Sequence, residues 1–194
     1  FFLNQVTPPV VVNAGVDGVI IHARKAWLQG LSPKQNRDVP PLNYAWVHQI
    51  KAEFPQLSVA INGGIKTLEQ GQVHLQDYEG LPAVDGLMLG RSSYEQPYLL
   101  AEVDQQLYGN NRAVISREQV LENMKPYIEA HLSNDGKLNQ ITRHMLGLFH
   151  GLPGGRIWRR YLSEHAFKAG AGIEVMEQAY RLVVDEIQRM EDQK

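Results

Sequence analysis

The sequence predicts an α/β region followed by an all-α region. Short apolar runs at residues 16–22, 57–61 and 86–89 each end in polar or glycine residues, and helix-like segments separate them. After residue 91 the strand-like runs stop, and apolar residues recur only at helical spacing. This pattern is typical of the last strands of a TIM (β/α)8 barrel followed by a helical bundle domain, with the chemistry at the carboxyl ends of the strands.

The predicted domain boundary gives a partial barrel at residues 1–109 and a helical domain at residues 110–194. Three parallel strands do not close a barrel, which needs eight strands and typically about 250 residues. We therefore expect the chain to be a piece of a larger protein, with a smaller open α/β sheet as the alternative. The first residues favour the larger protein, because they contain neither Met nor a basic signal segment.

Local signals place the helices. Asn43 and Thr67 are predicted N-caps of the helices that precede the second and third strands, and Ser116 opens a capping box. The helix after Ser116 is expected over residues 116–132, with Pro126 kinking or restarting it. Further helical segments are predicted over residues 137–149, 156–168 and 173–190, with a helix end over residues 1–6.

Composition excludes several classes of function. The net charge of −2 provides no global basic field, so any RNA contact needs a local patch. The absence of cysteine excludes disulfides, thiolate metal sites and a cysteine nucleophile or acid within this chain. No apolar run reaches the roughly 18 residues of a membrane span. The histidines lack metal-ligand spacing with acidic partners, so no metal site is predicted.

Two glycine-containing loops are candidates for a phosphate site. Asn62, Gly63 and Gly64 follow the second strand, so backbone N–H groups there can approach a phosphate closely. Gly90 and Arg91 follow the next strand, and a guanidinium can bind the same anion. A glycine pair alone is also an ordinary tight turn, but two such loops at neighbouring strand ends favour a shared phosphate ligand.

The first strand ends in a candidate ligand-binding histidine, His22. Its imidazole can donate to a flavin or to a phosphate, and a structural histidine is the alternative. Strand alternation places Arg24 on the same face as His22, which suits an anionic ligand.

The helical region carries a basic stripe. Arg156, Arg159 and Arg160 are spaced i, i+3 and i+4 and fall on one helix face, and Arg143 lies on the preceding predicted helix. Such a stripe can follow a nucleic-acid phosphate backbone, and a solvated charged face is the alternative. Trp158 lies within the stripe and is a candidate for either base stacking or core packing.

Several long motifs run through the chain in a fixed order. They are Ile21-His22-Ala23-Arg24-Lys25-Ala26-Trp27-Leu28, Gly30-Leu31-Ser32-Pro33-Lys34, Pro40-Pro41-Leu42, Ile61-Asn62-Gly63-Gly64-Ile65, Gly90-Arg91 with Tyr94 and Pro97, Ile141-Thr142-Arg143-His144-Met145-Leu146-Gly147-Leu148-Phe149, and Gly155-Arg156 with Trp158-Arg159-Arg160-Tyr161-Leu162-Ser163-Glu164. From about residue 14 to 185 the chain resembles the A-type tRNA-dihydrouridine synthases.

The resemblance implies an FMN-dependent TIM barrel followed by a helical tRNA-binding domain, in a cytoplasmic enzyme. Enzymes of this family reduce uridines in the D-loop of tRNA to 5,6-dihydrouridine. NADPH reduces the flavin, a hydride passes to C6 of the base, and a cysteine protonates C5.

The resemblance also assigns residues. His22 matches a flavin-binding histidine. The positions that match the two FMN-phosphate loops are Asn62, Gly63 and Gly64 for the first and Gly90 and Arg91 for the second. The positions expected to face tRNA are Lys25, Lys34, Arg143, Arg156, Arg159 and Arg160.

No catalytic residue is assigned in this chain, because the proton-donor cysteine, the first flavin-ring contacts and a Lys-x-Arg strand of the family are missing. We expect residues 1–194 alone not to reduce uridine, to retain FMN weakly and to self-associate through an unpaired sheet edge. The full-length protein is expected to be a monomer. Two alternatives stay open: another FMN-dependent barrel oxidoreductase, and a non-catalytic tRNA- or protein-binding module.

Overall fold

A computed structural model describes residues 12–25, 27 and 29–193, and of Arg37 only the backbone. The chain divides into two compact units, residues 1–90 and 91–194. The expected helix end over residues 1–6 lies outside the described residues, as do Ala26 and Leu28 of the first motif. The domain boundary near residue 110 stays a prediction.

The first unit contains a parallel three-stranded sheet in the order β1-β2-β3. Its strands are β1 (Gly18–His22), β2 (Ser58–Asn62) and β3 (Gly86–Met88), and its helices are α1 (Tyr44–Glu53) and α2 (Leu68–Gln72). A helix between each pair of parallel strands is the repeating unit of α/β folds. The predicted α/β region and its three strands are confirmed.

The core of the first unit lies on one face of the sheet. Val59 and Ile61 of β2 are fully buried, and Val47 and Ile50 of α1 belong to the same cluster. Burial of these aliphatic side chains stabilises the sheet against α1 by roughly 1.5–3 kcal/mol for each side chain.

The opposite face of the sheet is open. Ile20 is 63% exposed, and the register aligns His22 with Asn62 and Asn62 with Met88 at the last position of each strand. Because successive side chains alternate between faces, His22 and Asn62 share the open face with Ile20.

Two predicted helix caps of the first unit are confirmed. The Asn43 side chain accepts from the N–H of Trp46 at 3.2 Å, and Thr67 accepts from the N–H of Gln70 at 3.2 Å. The helix after Thr67 has only five residues and continues as a 3-10 turn. Gly71 within it allows close packing, since a Cβ there would lie 2.6 Å from Leu87 Cδ1.

The regular elements of the second unit, in its described residues, are all helices or 3-10 turns. Its elements are α3 (Arg91–Glu95), a 3-10 turn (Pro97–Glu102), α4 (Val103–Gln106), α5 (Arg117–Ser133), α6 (Leu138–Thr142), α7 (Gly155–His165) and α8 (Ile173–Glu191). Trp158 lies at the centre of its core with 0% exposure, and its Nε1 donates to the Met145 carbonyl at 2.9 Å. Core packing is therefore the role of Trp158, and base stacking is excluded.

The predicted helix over residues 137–149 is wrong, because α6 ends at Thr142 and hydrogen-bonded turns follow. Two tertiary contacts explain the early end. The Met145 carbonyl accepts from the Trp158 indole, and Gly147 packs so closely on the Glu95 carbonyl that a Cβ would overlap it. Long-range packing here overrides the helical spacing of apolar residues.

Helix α5 confirms the Ser116 cap and shows that Pro126 does not restart the helix. The Ser116 hydroxyl accepts from the N–H of Gln119 at 3.1 Å. The Gln119 side chain donates to Asn123, and among the described residues the reciprocal bond of the predicted capping box is not formed. The helix then continues unbroken through Pro126, which is exposed. Since Glu122 is also exposed, water can solvate the carbonyl that loses its helical partner at the proline.

In the described part of the chain, no helix is both long enough and apolar enough to cross a bilayer.

Candidate functional site

The carboxyl ends of the three strands form one polar edge of the sheet. The Asn62 Nδ2 donates to the Met88 carbonyl at 2.6 Å, which joins the ends of β2 and β3. The His22 ring is exposed and lies close to the loop that follows β2. Its Cε1 is 3.1 Å from the point where a Cβ on Gly63 would lie. The structure thus brings together His22, Asn62 and Gly63, as the sequence predicts.

The loop after β2, here called the glycine loop (Gly63 and Gly64), needs its glycines. Their φ angles are +115° and +71°, in the region that other residues rarely adopt. A Cβ on Gly64 would overlap Leu42, and the Gly63 carbonyl accepts from the Tyr44 hydroxyl at 2.8 Å. Among the described residues, the N–H groups of Gly63 and Gly64 have no hydrogen-bond acceptor. Such N–H groups suit an anion.

The two residues of the second predicted phosphate loop belong to different units: Gly90 ends the first and Arg91 begins the second. Gly90 lies two residues beyond β3, and a Cβ there would meet nothing within 4 Å. Arg91 begins α3 and is exposed.

Arg24, which strand alternation placed on the face of His22, is bonded in part to the loop after β1. Its Nη1 donates to the Asp38 carbonyl at 3.3 Å and to the Pro40 carbonyl. The guanidinium therefore holds the loop after β1. Lys25 and Lys34, which flank part of that loop, are exposed.

Sequence reasoning missed a buried imidazole pair beside the glycine loop. His48 and His74 are 0% and 2% exposed, and the Nε2 of His48 lies 3.1 Å from the Nδ1 of His74. The Pro82 carbonyl can only accept, so the Nδ1–H of His48 donates to it at 2.8 Å. The ring centroids of Tyr44 and His74 lie 4.5 Å apart, and the Tyr78 ring stacks on the His48 ring with 4.6 Å between centroids.

Burial lowers the pKa of His74, and the neighbouring His48 lowers it further. His48 and His74 are 26 positions apart in the chain. No local spacing signals a contact over such a separation.

The basic stripe of the second unit forms as predicted on α7. Arg156, Arg159 and Arg160 are exposed, while Trp158 and Leu162 of the same helix are buried. Across the described residues, none of the three arginines pairs with a carboxylate. Their charge is therefore available to an external anion.

Arg143 lies just beyond the end of α6, in an exposed hydrogen-bond chain. Its Nε donates to the Nε2 of His144 at 3.0 Å, and the Nδ1 of His144 lies 3.0 Å from the Tyr94 hydroxyl. Within the part of the chain that the structure describes, no group of three or more His, Asp or Glu side chains is placed to hold a metal ion.

Comparison with known proteins identifies the family. The family model for dihydrouridine synthases (Dus) matches residues 8–184. The tRNA-dihydrouridine(20/20a) synthase of Shewanella oneidensis is 60% identical over 173 residues, which cover 89% of this chain and 50% of that protein. The proteins of the same name in Vibrio cholerae and Escherichia coli are 53% and 54% identical over 92% and 86% of this chain, and 53% and 46% of their own lengths.

The chain belongs to the dihydrouridine synthase family. It spans about half the length of the curated relatives it matches. Its parallel three-stranded sheet is consistent with part of the barrel of this family.

Proposed function

We propose that this chain is the C-terminal part of an FMN-dependent tRNA-dihydrouridine synthase that reduces D-loop uridines to 5,6-dihydrouridine with NADPH. The observation that carries the proposal is the 60% identity to a protein named tRNA-dihydrouridine(20/20a) synthase, over 89% of this chain. The target uridines are then 20 and 20a, as in that name. The full-length enzyme is a cytoplasmic monomer.

The carboxyl edge of the sheet fits the phosphate end of FMN. The N–H groups of Gly63 and Gly64 would bind phosphate oxygens, with Asn62 beside them and Gly90 leaving room. His22 would contact the flavin. The family resemblance adds Arg91 to the same role.

This chain's own residues hold and orient the cofactor and the tRNA. When bound, the reduced flavin supplies a hydride to the uracil ring. Because the chain contains no cysteine, the group that protonates C5 belongs to the rest of the full-length protein.

The helical bundle domain, residues 110–194, would hold the tRNA backbone. Its unpaired arginines on α7 carry this proposal, since phosphate contacts dominate nucleic-acid affinity. The residues assigned to tRNA are Lys25, Lys34, Arg143, Arg156, Arg159 and Arg160.

The reaction itself is tested with the full-length enzyme. Incubated with unmodified tRNA, FMN and NADPH, it should form dihydrouridine detectable by mass spectrometry of digested tRNA. Residues 1–194 alone serve as the control and should form none, because they lack the proton donor. A full-length enzyme that forms no dihydrouridine would favour the second candidate, a non-catalytic tRNA-binding module, which the missing cysteine supports.

The tRNA surface is tested by charge reversal. In the full-length enzyme, Arg156→Glu with Arg159→Glu should weaken tRNA binding and reduce the slope of log K against log salt by roughly 1.4 to 1.8, through two lost phosphate contacts. FMN binding should not change. The control is Arg112→Glu with Arg181→Glu, an equal charge change at exposed positions of the second unit.

Normal tRNA binding by the double variant at all salt concentrations would mean that the stripe is only a solvated face. Loss of FMN or of the fold would mean that the arginines are structural. The tRNA surface would then be sought along residues 25–37.

A further inference from the structure

The Tyr44 hydroxyl anchors the peptide between Gly63 and Gly64 from one side. It donates to the Gly63 carbonyl at 2.8 Å. In a planar trans peptide the carbonyl and the following N–H point in opposite directions. Fixing the Gly63 carbonyl on Tyr44 therefore directs the N–H of Gly64 away from Tyr44.

The glycine loop needs an anchor of this kind. Glycines at φ of +115° and +71° have wide conformational freedom, so the loop does not fix its own N–H directions. Leu42 limits the loop by contact alone, with its Cδ2 3.1 Å from the position of a Cβ on Gly63. The hydrogen bond from Tyr44 is directional, so it fixes the orientation of the Gly63 carbonyl, which van der Waals contact does not.

Tyr44 is itself held in place. Its ring lies 4.5 Å from the His74 ring, and His74 is hydrogen-bonded to buried His48 at 3.1 Å. Burial raises the pKa of Tyr44, Arg24 opposes this rise and Tyr78 adds to it. The hydroxyl therefore keeps its proton and remains a donor at neutral pH.

We propose that Tyr44 is a positioning residue for the cofactor phosphate, because its hydroxyl orients the Gly63–Gly64 peptide so that the Gly64 N–H binds the phosphate. The inference rests on the proposed function, which places the FMN phosphate at the glycine loop. The inference adds Tyr44 to the proposed site as a residue that contacts the glycine loop with its hydroxyl and His74 with its ring.

The test compares FMN with riboflavin, which is the same flavin without its phosphate. Both dissociation constants are measured by fluorescence on the full-length apoenzyme for the wild type, Tyr44→Phe and Tyr78→Phe. Tyr44→Phe removes one hydroxyl and should weaken FMN binding about fivefold while changing riboflavin binding less than twofold. Tyr78→Phe removes a hydroxyl from the same ring cluster and should change neither.

Phosphorus NMR of FMN-saturated protein gives a second readout that does not depend on affinity. The phosphate resonance should move in Tyr44→Phe and stay in place in Tyr78→Phe. Equal weakening of FMN and riboflavin, or an unmoved resonance, would overturn the inference and leave the phosphate site standing. A wild-type enzyme that binds FMN no more tightly than riboflavin would overturn the phosphate site itself, and the role of Tyr44 with it.

Discussion

The two edges of the sheet in the first unit differ in how their polar groups are used. At the amino edge the Lys51 ammonium donates to the carbonyls of Pro55 and Leu57, both at 2.9 Å, and pairs with Asp85 at 2.9 Å. The Asp85 carboxylate also accepts from the N–H of Val59 at 2.7 Å. Every group named here bonds to another part of the same unit.

At the carboxyl edge, the N–H groups of Gly63 and Gly64 have no acceptor among the described residues, and His22 is exposed. The contrast indicates that polar groups at the amino edge stabilise this unit, whereas the carboxyl edge leaves hydrogen-bond donors that a ligand could use. The same division holds for (β/α) barrels in general, where the amino face stabilises and the carboxyl face binds. Substitutions at the two edges should therefore have separable effects.

The largest effect is expected from Asp85→Ala at the amino edge. The change leaves the buried N–H of Val59 without its acceptor, which costs about 2 kcal/mol of unfolding free energy. Because the Asp85 side chain is 39% exposed, little of that loss comes from the ion pair with Lys51. Urea denaturation of the full-length protein should show the loss, with the ratio of FMN to riboflavin affinity unchanged.

Asp77→Ala is the matched control, since Asp77 is an exposed carboxylate of the same unit. It should change the unfolding free energy by less than about 0.5 kcal/mol. A change in the FMN to riboflavin ratio in Asp85→Ala would show that the edges are not independent.

Local signals made much of this division predictable. Each strand is an apolar run in the sequence. His22, Asn62 and Gly63 come at the ends of these runs, so their position at the carboxyl edge was predictable. The imidazole pair and the early end of α6 were not predictable, because each depends on residues distant in the sequence. His48 meets His74 only in the folded unit, and the Met145 carbonyl is taken by Trp158 from a later helix.

A smaller effect, on FMN affinity, is expected at the carboxyl edge from Gly64→Ala. Gly64 and Gly80 have φ of +71° and +81°, so an alanine at either position costs roughly 1–2 kcal/mol of backbone strain. Only at Gly64 would the new Cβ meet Leu42, whereas nothing lies within 4 Å at Gly80. Gly64→Ala should weaken FMN binding more than about fivefold, by loss of a correctly placed N–H.

Gly80→Ala should leave FMN binding unchanged and lose only the stability that the backbone strain costs. Isothermal titration of FMN into both apoenzymes makes the comparison. Equal FMN affinities in the two variants would mean that the glycine loop does not contact the cofactor.

The smallest effect is a dependence of stability on pH that arises at the buried His74. Burial and the neighbouring His48 lower the pKa of His74 in the folded protein below its ordinary value of 6.5. As the pH falls below 6.5, the unfolded chain binds a proton at this residue before the folded chain does, so stability decreases. The loss is absent above the ordinary pKa and complete once the pH reaches the lowered one.

Urea midpoints of the full-length protein at several pH values should therefore fall on acidification, with a shallower fall in His74→Gln. His150→Gln, a change at an exposed histidine, should keep the wild-type slope. Equal slopes in the two variants would show that His74 does not titrate as a buried group.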